Sequence, residues 1–171
     1  MFELRRRSAG LAMSDVPTNR PGPVLRVMRE SDLRDVLHIE RRSFSIPWQE
    51  STFRGLMRRA SASLLVAEEG GVVVGFAVMW FAADEAELGD LSVHPEARRR
   101  GLGGWILKGA MREAGRRGAA QVFLEVREAN TDARRLYEKA GFVNVGVRPS
   151  YYTEPVEDAI LMRCSLDTSE G

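Results

Sequence analysis

Cysteine is almost missing from this chain: Cys164 is the only one in 171 residues. An internal disulfide is therefore excluded, and a lone thiol fits a reducing compartment, so the expected location is cytoplasmic. Histidine is nearly as scarce, with only His38 and His94. No Cys/His pair presents itself for covalent catalysis, and no metal is expected. Charge of one sign is lacking too: 25 Lys and Arg stand against 24 Asp and Glu, a net of +1. Such a balance gathers neither nucleic acid nor an anionic membrane, and neither is expected as a partner. No apolar run approaches the ~20 residues that span a bilayer. Ser8 to Met13, after Arg5-Arg6-Arg7, is too short and too rich in small residues for a signal peptide's apolar stretch.

The length suits one domain with a proper core. Residues 1–23, ending in Pro21-Gly22-Pro23, read as a disordered basic leader; 24–166 form the domain, and 167–171 a flexible tail. Val24 to Met28 reads as a first strand. Ser31 is placed to cap a helix with Leu33, Val36, Leu37 and Phe44 on one side, and Glu40 falls on that same side. A loop, Ser43 to Trp48, leads to a short helix with Phe53, Leu56 and Met57. Gly70-Gly71 between two apolar runs signals a tight hairpin. The run Val72 to Phe81 is apolar throughout, as in a central strand covered on both faces. Further on, helices are expected over 101–117 and from Asn130 to Ala140, with strands over 121–126, 142–147 and 159–164. Seven strands alternating with four helices give an α/β fold in the broad sense, around a mixed sheet.

Two features inside this frame point to chemistry. From Ala86 to Leu88 the apolar residues fall at even positions, but from Leu91 to Val93 at odd ones. Side chains alternate along a strand, so the phase slips across Gly89-Asp90, as a β-bulge would make it do. After that strand comes Arg98-Arg99-Arg100-Gly101-Leu102-Gly103-Gly104, opening an amphipathic helix with Trp105, Ile106, Gly109 and Ala110 on one face. Glycines admit close backbone approach, and the first N–H groups of a helix lack internal partners, which together make an anion site. A dinucleotide fingerprint is excluded because Ile106 stands where its third glycine belongs. A P-loop is excluded because no Gly-Lys-Ser/Thr occurs. The basic stripe Lys108, Arg112 and Arg116 reads as a solvated helix face.

Glu125 lies inside the apolar strand Leu124-Glu125-Val126, either paired with a cation such as Arg127 or functional. Tyr137 sits on an inward helical face, where core packing is the commoner role and proton donation the rarer. Asn130 is placed as a helix cap, and Cys164 as a buried, inert thiol.

Arg98-x-x-Gly101-x-Gly103 resembles the acyl-CoA pyrophosphate loop of the GNAT superfamily of N-acetyltransferases. With His38-Ile39-Glu40, Ser43-Phe44, Pro47-Trp48, Leu124 to Arg127, Asn130, Leu136-Tyr137-Glu138, Gly141-Phe142, Arg148, Tyr151-Tyr152 and Glu157-Asp158-Ala159, the chain from about Leu25 to Met162 is similar to the bacterial ribosomal-protein alanine N-acetyltransferases. That resemblance implies acetyl-CoA as co-substrate and a sheet that splays into a V between its fourth and fifth strands. It implies that Glu125 is the general base and Tyr137 the general acid. Leu91, Ser92 and Val93 would hold the pantetheine arm through their backbone. Arg98, Arg99, Arg100, Gly101, Leu102, Gly103 and Gly104 would hold the pyrophosphate, and Asn130 would also touch the coenzyme. The family loop often begins with glutamine and ends with a basic residue; here those places hold Arg98 and Gly104.

The acceptor implied is the N-terminal segment of a ribosomal or other protein. An α-amino group has a pKa near 8 and a lysine near 10.4, so about a tenth of the former is free at pH 7. A carboxylate acting through water suffices for such an amine. Phe44, Pro47, Trp48, Tyr151 and Tyr152 could wall a slot for an extended peptide, with Asp158, Glu157 and Glu40 favouring its positive charge. Two alternatives stay open: an acetyltransferase for a small amine such as a polyamine or aminoglycoside, and a non-catalytic acetyl-CoA-binding module.

Overall fold

The computed structural model describes residues 21–167; most of the expected leader, and the tail from 168, lie outside them. The elements are β1 (Val24–Val27), α1 (Leu33–Ser43), α2 (Glu50–Met57), β2 (Ala62–Glu69), β3 (Val72–Ala82), β4 (Glu85–Val93), α3 (Leu102–Arg116), β5 (Gln121–Arg127), α4 (Thr131–Lys139), β6 (Val143–Tyr152) and β7 (Glu157–Ser165). The strands form one seven-stranded sheet in the order β1-β2-β3-β4-β5-β7-β6. Only β4 and β5 run parallel, because α3 carries the chain back between them.

The unbroken apolar run in β3 is buried on both sides, as its composition requires. Phe76 and Val78 pack with Val36 and Ile39 of α1 and Phe53 of α2. Ala77 and Met79 pack on the other face with Ile106, Leu107 and Ala110 of α3. The β2–β3 turn uses Gly70 and Gly71 at φ +59° and +81°, the paired positive angles of a two-residue hairpin.

The start and the face of α1 differ from expectation. Its N-cap is Asp32, not Ser31, because a 3-10 turn over Glu30–Asp32 comes first. Arg26 holds the Asp32 carboxylate at 2.7 and 2.8 Å, and the Arg29 N–H donates to it at 2.7 Å. Phe44 is extended beyond the helix end and 42% exposed, so the buried stripe is completed by Ile39 instead. On α3 the buried face is wider than the sequence pattern suggested: it includes Leu107, while Trp105 lies at its margin. Lys108, Arg112 and Arg116 are exposed, as expected of a solvated stripe.

The phase slip in β4 is a bulge. Val78 of β3 pairs with Asp90 and Met79 with Leu88, leaving Gly89 as the extra residue. Ala86, Leu88, Leu91 and Val93 thereby all turn toward α3, while Asp90 and Ser92 are sent to the α1 face and buried there. A Cβ on Gly89 would run into the Trp80 ring, so only glycine fits under that indole.

Candidate functional site

The bulge is followed by a gap in the sheet. Parallel pairing of β4 with β5 runs from Glu85↔Gln121 to Leu88↔Leu124 and stops there. From Gly89 to Val93 the β4 edge that faces β5 has no ladder partner among the described residues, so the backbone of Leu91, Ser92 and Val93 lines a V. Glu125 is the first residue of β5 beyond the last pair, at the point where the strands part.

The loop after β4 continues that edge. Arg99 and Gly101 take φ of +60° and +78°, left-handed angles of the kind that leave successive N–H groups open to an anion. Arg98 Nε donates to the Val93 carbonyl at 3.0 Å and its Nη2 to Ser43 Oγ at 3.1 Å, tying the loop to β4 and α1. Arg100 pairs with Glu69 at 2.6 Å. Leu102, Gly103 and Gly104 form the first turn of α3, with Leu102 buried in the core and the two glycines against Leu136 of α4. A helix N-terminus with bare amides, in an arginine-rich loop that follows the strand lining the V, suits a diphosphate followed by an extended arm. The residues present therefore fit acyl-CoA.

β5 carries the candidate base and α4 the candidate acid. Glu125, with a 13% exposed side chain, pairs with Arg148 of β6 at 3.1 Å. Its expected partner, Arg127, is occupied elsewhere. Arg127 lies over the Tyr152 ring at 4.4 Å and donates to the carbonyls of Thr153 and Pro155 at 3.3 and 3.1 Å, and to Ser45 Oγ at 3.4 Å. It thus straps the β6–β7 hairpin to the α1–α2 loop. The Tyr151 phenol hydrogen-bonds Glu125, which raises its pKa. A bulge in β6 between Arg148 and Tyr152 aims Tyr151 there, and Asp158 fixes it by accepting from the Ser150 N–H at 2.8 Å.

Tyr137 comes from α4, whose cap is Asn130 as expected: Asn130 Oδ1 accepts from the Ala133 N–H at 3.2 Å. The Tyr137 ring packs edge-on to Phe142 at 5.8 Å. Burial, then the charge of Asp90, pushes its pKa up, so it stays a neutral O–H donor. Cys164 is buried and its thiol is raised by burial, consistent with an inert side chain.

Of the aromatic candidates, Tyr151 and Tyr152 lie together at 5.0 Å beside Glu125. Phe44 is exposed on the facing loop. Trp48 is half in the core: it stacks on Trp80 at 6.2 Å and tilts against Phe53 at 5.6 Å. Glu40 is not a free charge for a substrate, whereas Asp158 is only half-buried. Glu40 is 1% exposed and accepts from the Trp48 N–H at 2.8 Å, and Asp158 Oδ1 accepts from the Ser150 N–H. Glu157 likewise accepts from the Ala129 N–H at 3.2 Å. One open cavity is lined by Arg41, Ser45, Ile46, Pro47, Trp48 and Glu154 among others, and neither Glu125 nor Tyr137 lines it. Sequence reasoning gave no role to Arg148 and missed Asp90, although the slip that located the bulge also implied that the residue after Gly89 changes face.

The fold agrees with comparisons to known proteins. The Acetyltransferase (GNAT) family model matches residues 33–142. The ribosomal protein bS18-alanine N-acetyltransferase of Escherichia coli K12 is 36% identical over 137 residues, covering 79% of this chain and 92% of its own length. That of Haemophilus influenzae is 32% identical over 138 residues, covering 79% and 93%. The crystal structure of the Escherichia coli ribosomal-protein-S18-alanine N-acetyltransferase superposes with a TM-score of 0.78 at 34% identity, over 84% of this chain and 93% of that one. Ard1 from Thermoplasma volcanium gives 0.79 at 27% identity, over 85% and 98%. With the family model matching residues 33–142 and relatives 32–36% identical over about four fifths of its length, the chain belongs to the GNAT family of acetyltransferases.

Proposed function

We propose that this acetyltransferase moves the acetyl group of acetyl-CoA onto the N-terminal α-amine of a protein, most specifically the N-terminal alanine of ribosomal protein bS18, by direct attack within a ternary complex. The observation that carries the reading is Glu125, placed where β4 and β5 part, with the Tyr151–Tyr152 pair beside it and the Phe44–Trp48 loop strapped across by Arg127. Such a site is a groove between two loops, suited to an extended chain end. The catalytic domain is assigned to 24–166, and a ribosomal acceptor implies action in the cytoplasm.

Acetyl-CoA supplies an activated thioester. The backbone of Leu91 to Val93 orients its arm, and the amides from Arg99 to Gly104 hold the diphosphate, with Asn130 at the rim. Glu125 accepts the amine proton, directly or through a water, as Arg148 and Tyr151 give way. Tyr137, kept protonated by burial, donates its O–H to the leaving sulfur. Phe44, Pro47, Trp48, Tyr151 and Tyr152 wall the peptide.

The test is acetyl-CoA turnover on peptides beginning with alanine, serine or methionine, beside a lysine peptide with a blocked N-terminus and a polyamine. Turnover of the free alanine terminus is expected. Preference for the blocked lysine peptide or for the polyamine would overturn the assignment.

A further inference from the structure

Two carboxyl groups that this chemistry leaves unused are buried against each other behind the α1–α2 loop. Glu40 of α1 is 1% exposed, and Asp90 of the β4 bulge is 6% exposed. Glu40 Oε1 accepts from the Trp48 N–H at 2.8 Å, and Asp90 accepts from the Leu91 N–H. The remaining oxygens, Glu40 Oε2 and Asp90 Oδ1, are reached by no N–H or O–H donor among the described residues. Yet the two side chains lie within hydrogen-bonding reach of each other. Two carboxylates cannot satisfy this arrangement, because each is an acceptor only and like charges repel strongly out of water. One proton removes both difficulties: it makes one group a donor and halves the buried charge.

We propose that Glu40 and Asp90 share a single proton at neutral pH, and that this acid–carboxylate hydrogen bond pins the Pro47–Trp48 loop to the bulged strand. The groups acting on the pair come from every packed element: the Trp48 N–H from the loop, the Leu91 N–H from β4, and the Tyr137 phenol from α4. Burial pushes both carboxyls upward, and the charge of Glu40 pushes Asp90 further. The same loop and the same bulge meet a second time where the Trp48 ring stacks on Trp80, whose indole covers Gly89. Pinning therefore sets how far the loop stands from the V.

The proton is tested on the full chain without substrate. Infrared spectra near pH 7 are expected to show the C=O band of a protonated carboxyl, absent from Asp90→Asn and from Glu40→Gln. Stability supplies a second readout. The unfolded carboxyls titrate near 4, so between about pH 5 and 8 both are ionised in the unfolded chain while the folded pair keeps one proton. The folded state then binds more protons, and stability falls as pH rises. Asp90→Asn offers Glu40 an N–H with no proton required, so its melting temperature relative to wild type is expected to rise from pH 5 to pH 8. Absence of the band, or an Asn-minus-wild-type difference equal at both pH values, would refute the shared proton. The pinning arm rests on the proposed peptide acceptor. Asp90→Leu is expected to raise KM for an alanine-terminated peptide several-fold more than it lowers kcat, and Asp90→Asn to restore it. An unchanged KM in Asp90→Leu overturns the pinning; no turnover by the wild type overturns the proposed function and leaves the infrared result standing.

Discussion

The two ends of the sheet are built on different principles. On the side of β2 and β3, α1 and α3 cover opposite faces, and β3 has seven consecutive buried residues from Val73 to Met79. On the side of β5, β7 and β6, the inner strands still bury Val122, Leu124, Ile160 and Met162, but β6 buries nothing fully and α4 only half-buries Leu136 and Tyr137. Val143, Val145 and Val147 of β6 are 53%, 42% and 51% exposed. The first region is held by close packing. Much of the second is positioned by polar contacts: Arg148 on Glu125, Arg127 across two loops, Asp158 on Ser150, Asn130 at its helix end. Close packing and the polar contacts around Glu125 thus dominate at different places along one sheet, meeting at the V. A region positioned by hydrogen bonds can rearrange around a substrate without unpacking the core.

The sharpest way to break that contrast is to remove one large side chain from each region. Phe76, 0% exposed between the sheet and Phe53, is expected to cost about 3–5 kcal/mol on Phe76→Ala. Val145→Ala on the exposed strand is expected to stay within about 0.5 kcal/mol. Denaturant midpoints with unchanged slopes measure both, and comparable losses would erase the distinction. The converse experiment acts on rate. Tyr137→Phe keeps the ring against Phe142 but removes the O–H, so kcat is expected to fall by roughly one to three orders of magnitude with little change in melting temperature. Glu125→Gln is expected to lower kcat at neutral pH and less at high pH, where more amine is already free. Full activity in either variant removes that residue from its role.

The junction gives an intermediate effect. Gly89→Ala places a Cβ against the Trp80 indole, which must move and take its contact with Trp48 along. Overpacking of this kind costs about 1–3 kcal/mol, and tryptophan emission is expected to shift to the red as the stack opens. Unchanged emission would mean that the indole is not seated on the bulge.

This comparison also explains what could be read before folding. The buried half was legible because packing writes itself as periodicity: the run through β3, the glycine pair of the hairpin, the phase slip at Gly89. Even there the boundaries slid, since Asp32 rather than Ser31 caps α1 through an arginine contact that local pattern does not reveal. In the polar half, single residues such as Glu125 and Tyr137 were picked out largely by resemblance, and their partners were not. Glu125 was expected near Arg127, but its cation is Arg148, because a strand two places along the sheet delivers it. Glu40 was read as a possible attraction for substrate, whereas burial commits it to Trp48 and Asp90. Such pairings depend on register between distant strands, which a linear pattern does not encode.

The smallest effect separates two neighbouring tyrosines. Tyr151 and Tyr152 pack edge-on at 5.0 Å, yet their phenols are raised for different reasons. The hydrogen bond to Glu125 is the main cause for Tyr151, while burial is the main cause for Tyr152, pushed up to about 12. Glu125→Gln removes the charged acceptor and leaves the burial. The Tyr151 phenol is therefore expected to drop toward 10, and that of Tyr152 to drop less, since Glu125 acts on it only through charge. The chain has three tyrosines, so tyrosinate absorbance resolves the change, with Tyr151→Phe and Tyr152→Phe as assignments. The sign for stability follows. A folded phenol that holds its proton more tightly than the unfolded one contributes stability below about pH 10, lost as pH rises through its folded value. In Glu125→Gln the part belonging to Tyr151 disappears. Equal shifts in both phenols would mean that Glu125 acts on Tyr151 only as a distant charge, and that β6 delivers Arg148 alone to the base.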